Sequence, residues 1–72
     1  MRLSEGKINH SSKIDTIDLP ESMEMRLEAL GLTHGTDILV LNSKNKGVLI
    51  VKVRGTRFAF GRNITENIQV AL

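Results

Sequence analysis

The chain has 72 residues, no cysteine, two Phe as its only aromatic residues and a formal net charge of +2. That length holds one domain, 1–72, which buries roughly 62% of the surface its unfolded chain exposes. So little core leaves no room for a large enclosed catalytic pocket. Without cysteine there is no disulfide frame, no thiolate nucleophile and no Cys-rich zinc or iron–sulfur site.

The charge is unevenly placed. Residues 1–37 carry four basic and seven acidic side chains, and residues 38–72 carry six basic and one acidic, so the halves stand at −3 and +5. Such a split bears on partners and not on fold. The longest apolar runs, Ile38–Leu41 and Val48–Val51, are four residues each, far short of a membrane span. A small domain without disulfides or a secretory signal is expected in the cytoplasm.

In chain order, Lys13–Asp18 is β-branched and mostly alternating, which predicts a strand. Leu19-Pro20 ends it, because Pro cannot donate to a ladder. Residues 22–30 read as a short helix with Ser22 as N-cap and Met23, Leu27 and Leu30 as one buried stripe. Met25 and Ala29 lie on the opposite helix face, an apolar contact for a partner. Gly31 falls where helices end in a left-handed residue, and Leu32 can fold back onto the last turn. Thr33–Thr36 is a tight turn with Gly35 at the position needing positive φ. Asp37–Asn42 is a strand whose continuous apolar centre predicts burial, and residues 42–47 form a polar loop.

Residues 48–54 and 57–61 predict a hairpin around a Gly55-Thr56 type II′ turn. That register sets Arg54 opposite Arg57 and Val53 opposite Phe58. It puts Leu49, Val51, Val53, Phe58 and Phe60 on one face and Ile50, Lys52, Arg54, Arg57 and Ala59 on the other. Asn63–Glu66 fits a capping box on one helical turn, and Ile68–Val70 is a closing strand. About five short strands with one inserted helix predict a mainly β fold, a small SH3-like barrel, since closure removes exposed edges.

Signatures of chemistry are absent. There is no phosphate-binding loop and no dinucleotide fingerprint. His10 beside Ser11 and Ser12 lacks a placed orienting carboxylate, so no triad is implied. Asp15, Asp18, Glu21 and Glu24 recur every three residues, but Pro20 breaks any shared periodicity, and a solvated acidic face explains them. The reading is therefore a non-enzyme with no cofactor and no metal ligands. The outer hairpin face is the remaining feature: Lys52, Arg54 and Arg57 with no acid among them. It reads either as a solubilising edge or as a docking surface for an acidic partner, a nucleic acid or anionic headgroups.

Residues 26–38, Arg26-Leu27-Glu28-Ala29-Leu30-Gly31-Leu32-Thr33-His34-Gly35-Thr36-Asp37-Ile38, resemble the signature R-L-x-x-L-G-L-x-x-G-x-x-[IV] of the ferrous iron transport protein A (FeoA) family. Val51–Phe60 resembles the hairpin of that family, and Glu66–Val70 its closing A-x-x-I-x-V. His34 stands where the family commonly has Pro, and Thr65 where it commonly has Ala. The resemblance implies an SH3-like barrel that assists ferrous iron uptake in the bacterial cytosol. It implies contact with ferrous iron transport protein B, a membrane transporter with a G-protein domain, and it brings no catalytic or metal-ligand residues. The expected contact surface combines Met25, Arg26 and Ala29 with Lys52, Arg54 and Arg57. The alternative is a nucleic-acid-binding small barrel using the basic hairpin. Both Phe residues pointing inward argue against it, because no stacking platform remains.

Overall fold

The computed structural model describes residues 1–71. Five strands form one antiparallel sheet: β1 Ser11–Ile17, β2 Asp37–Ser43, β3 Leu49–Val53, β4 Thr56–Phe60 and β5 Ile68–Ala71, in the order β4-β3-β2-β1-β5. Helix α1, Glu21–Ala29, lies between β1 and β2, and a single turn, α2, Arg62–Thr65, joins β4 to β5. Short 3-10 turns occupy Leu3–Glu5 and Asn45–Gly47.

The sheet curls because two of its pairings carry irregularities, between Ile14 and Thr16 on β1 and between Val40 and Asn42 on β2. An extra residue in one strand bends it and increases its twist. The concave side then encloses the core. Ile14, Ile38, Val40, Leu49, Val51, Val53, Phe60, Ile68 and Val70 come from the strands, with Leu3, Leu27 and Leu32 from the connections. Leu39 and Leu41 are only half-buried, so the apolar run of β2 has one core face and one partly wet face. The chain exposes 4627 Å², close to the roughly 4,400 Å² expected of this mass.

Several local expectations are corrected. The first strand begins at Ser11, not Lys13, and β2 runs on through Ser43 into the expected loop. Helix α1 starts after Pro20, not at a Ser22 cap: the Pro20 carbonyl accepts from Met23 N and Glu24 N, both at 2.9 Å. Proline presets φ for a helix start, and Glu21 and Glu24 in the first turn complement the helix dipole. The helix ends in a Schellman arrangement. Gly31, at φ 101°, donates to Glu28 O at 2.9 Å, and Leu32 donates to Leu27 O at 3.0 Å. This return carries Leu32 to complete burial while Leu30 stays 50% exposed, so Leu32 fills the core place that the helical stripe assigns to Leu30.

The capping box is also replaced. Gly61 is the N-cap of α2, and Asn63 sits inside the turn, where its carbonyl accepts from Asn67 Nδ2 at 2.8 Å. In the hairpin Val53 pairs with Thr56, Lys52 with Arg57, Val51 with Phe58 and Leu49 with Phe60. The turn residues are therefore Arg54 and Gly55, both at positive φ (50° and 83°), which is a type I′ turn rather than Gly55-Thr56 in type II′. The pairing differs by two residues from the expected one. A slip of two preserves the pleat, so the apolar face is as expected.

Candidate protein-docking surface

The six residues expected at the contact surface are all exposed. Met25 and Ala29 stand one helical turn apart on α1, away from Leu27, which is buried, and Met23, which packs on the core. Met25 is 60% exposed, and Leu30, at i+4 from Arg26, adds a second large apolar group that periodicity had assigned to the core.

The hairpin contributes the basic part. Lys52 and Arg57 face each other across β3 and β4, a like-charge pair that costs a few tenths of a kcal/mol. Arg54 is not opposite Arg57. It occupies the turn, and its side chain lies along Gly31, with Nε donating to the Gly31 carbonyl at 3.4 Å. A Cβ on Gly31 would come within 2.9 Å of Arg54 Cδ. Glycine is thus required there twice, by its φ and by the guanidinium arm above it. The contact sets a cation at the C-terminal end of α1, where the helix dipole favours it. It also joins the two halves of the expected surface, because the hairpin tip is tied to the end of the helix that carries Met25, Arg26 and Ala29.

The acidic residues gather elsewhere. A cleft of about 280 Å³ between β1 and α1 has Ile14 and Leu32 in its lining and Asp15, Glu24, Glu28 and His34 around it. His34 Nδ1 donates to the Asp15 carbonyl oxygen at 2.8 Å and lies 3.8 Å from Asp15 Oδ1. Among the described residues no three His, Asp or Glu side chains converge as metal ligands. Sequence spacing had grouped Asp15 and Glu24 with Asp18 and Glu21; the cleft instead pairs them with Glu28 and His34. His10 is exposed, and no hydrogen bond joins it to Ser11 or Ser12 among the described residues. Phe58 and Phe60 stack on each other at 5.5 Å, with Phe60 buried and Phe58 half-buried against the core. The chain's two aromatic rings are thereby committed to packing and do not form a platform for bases.

The family model for the FeoA domain matches residues 1–72. The chain belongs to the FeoA family. Solved structures agree with this FeoA assignment. An iron uptake regulatory protein (FeoA) is 31% identical with a TM-score of 0.88, over 99% of this chain and 95% of that one. FeoA from Chlorobium tepidum is 29% identical with a TM-score of 0.93, over 100% of this chain and 70% of its own. FeoA from Stenotrophomonas maltophilia, solved with zinc, is 28% identical with a TM-score of 0.82, over 97% and 88%. It is described as an SH3 domain protein with a suggested role as a ferrous iron transport activating factor. A search of the curated proteins finds no match. The FeoA fold here is accordingly the mainly β, SH3-like one expected from the strand pattern. No helix among the described residues is long and apolar enough to cross a membrane.

Proposed function

We propose that this FeoA chain is a non-enzymatic accessory protein of ferrous iron uptake that modulates a membrane ferrous iron transporter by direct contact on its cytosolic side. The partner in this reading is ferrous iron transport protein B, and the contact is made by Met25, Arg26, Ala29, Lys52, Arg54 and Arg57. Family membership and the names of the similar proteins support the iron-uptake setting. The observation that supports the surface is the Arg54–Gly31 contact, which brings the tip of the basic hairpin against the end of the helix that carries the exposed apolar side chains. A face of this kind suits a protein partner: apolar groups supply burial, and the cations steer and orient an acidic counterpart.

The test is calorimetric titration of the purified cytosolic domain of the transporter with the chain and with its Arg54→Glu/Arg57→Glu variant. The expected result is binding weakened at least about tenfold in the variant, with the loss growing at low salt. Equal affinity in a variant that retains the wild-type melting curve removes the basic face from the contact. Tight, steeply salt-dependent binding of single-stranded RNA in place of the transporter domain would favour a nucleic-acid-binding barrel instead.

A further inference from the structure

The two outer strands of the sheet end differently. At β5 the chain covers its own edge: Arg2 bridges to Gln69, and Val70 N donates to Met1 O at 2.7 Å. At the other end β4 pairs only with β3, and among the described residues no strand lies beyond it. In a two-residue hairpin the pair flanking the turn, here Val53 and Thr56, exchanges hydrogen bonds, and the pairs alternate from there. The backbone groups of Thr56, Phe58 and Phe60 therefore point to β3, and those of Arg57 and Ala59 point outward. No loop or turn hydrogen bond among the described residues uses the outward groups. Beside them, on the outer face, stand the side chains of Lys52, Arg57 and Ala59, all exposed. On the inner face lies the half-buried rim of Phe58.

We infer that the β4 edge takes an extended segment of a partner protein as a sixth strand, with acidic side chains on its outer face alternating with apolar side chains on its inner face. This rests on the reading of the basic face as a partner contact and says how that contact is made. Main-chain hydrogen bonds to Arg57 and Ala59 supply generic affinity, and alternate side chains supply specificity. Charge selects the occupant. Residues 49–60 hold three cations and no acid. A second copy pairing β4 to β4 would bring Arg57 and Lys52 against their own equivalents, which like charges on an edge oppose. An acidic strand meets Lys52 and Arg57 as counterions and relieves their mutual repulsion. Ala59, small and exposed between them and the end of β4, leaves room for the incoming side chains.

The experiment titrates the full chain with a capped peptide of about eight residues alternating Glu and Val, followed by amide hydrogen exchange and NMR chemical shifts. In the free protein the Arg57 and Ala59 amides exchange fast; with peptide they are protected, while those of Phe58 and Phe60 change little. N-methylation of alternate peptide residues abolishes binding, a Lys-Val peptide does not bind, and Arg57→Glu weakens the Glu-Val peptide by about tenfold. Ala59→Pro removes one outward donor at an edge position that tolerates Pro and also lowers binding. If that variant does not fold, the N-methylated peptide makes the same test on the wild-type chain. Absence of peptide binding, binding with Arg57 and Ala59 unprotected, or binding indifferent to N-methylation overturns the inference. A concentration-dependent dimer that Ala59→Pro dissolves would assign the edge to a second copy. If the transporter domain binds Ala59→Pro fully but not Arg54→Glu/Arg57→Glu, the surface stands and the added strand fails. If the transporter domain does not bind the wild-type chain, the functional reading fails, whatever the peptide does.

Discussion

The two edges of this sheet face the same physical problem and answer it by different means. A strand at the edge exposes unpaired N–H and C=O groups that any extended chain can use. At β5 the first two residues lie over the edge, and the next one, Leu3, is 1% exposed in the core. At β4 the protection is electrostatic: Lys52 and Arg57 stand across from each other with Arg54 at the turn. At the covered edge the backbone at Gln69 and Val70 is already paired. The charged edge is closed to its own kind and open to an acidic strand. Blocking an edge with backbone gives stability, whereas blocking it with charge costs a little stability and leaves a selective surface.

Four substitutions break or sharpen this contrast. Leu3→Ala has the largest expected effect. It empties a fully buried site and releases the segment covering β5, at a cost of about 2–4 kcal/mol in urea unfolding. Amide exchange at Val70, whose N–H is held by Met1 O, should accelerate before that of β3. Next comes Gly31→Ala, which forces a left-handed Cβ against Arg54 and should cost about 1–3 kcal/mol. Pairing it with Arg54→Ala should recover part of that loss in a double-mutant cycle, because one of the two causes is the side-chain collision.

Thr65→Val acts on α2, the turn that joins the two edge strands. Thr65 is fully buried, and among the described residues its Oγ1 has no hydrogen-bond partner. Removing that hydroxyl while keeping the shape should raise stability by about 1 kcal/mol, visible as a higher urea midpoint at unchanged m-value. Arg57→Glu has the smallest effect on the fold. It converts the Lys52–Arg57 like-charge pair into an opposite-charge pair and should stabilise by a few tenths of a kcal/mol. The same substitution weakens binding of an acidic partner. Stability and docking moving in opposite directions would mark the basic edge as kept for binding; parallel losses would mark it as structural.

Much of this was legible without coordinates, and what failed did so for identifiable reasons. Side-chain alternation in the hairpin predicted its inner face, because the period of a strand is two and needs no knowledge of the partner. The register was missed because Gly55 serves either turn: Gly55-Thr56 in type II′ or Arg54-Gly55 in type I′. Both settings bury the same side chains, so the hydrophobic pattern cannot choose between them. Periodicity placed Leu30 in the core because it treats the helix as isolated. The reversal at Gly31 delivers Leu32 to the core instead. Ser22 and Asn63 are good caps by residue type, but Pro20 and Gly61 hold the positions, since the chain enters both helices two residues earlier.

The sequence by itself determined the class of fold, the FeoA signature, the apolar face of the hairpin and the exposure of Met25, Arg26, Ala29, Lys52, Arg54 and Arg57. These depend on local spacing and composition, which folding does not alter. Only the tertiary structure decided that Arg54 lies on Gly31, that Asp15, Glu24, Glu28 and His34 share a cleft, and that one edge is covered while the other is open. Each of these joins residues far apart in the chain, and their meeting is set by how the sheet curls and where α1 ends. Charge could be counted from the sequence; its arrangement along a free strand edge needed the fold.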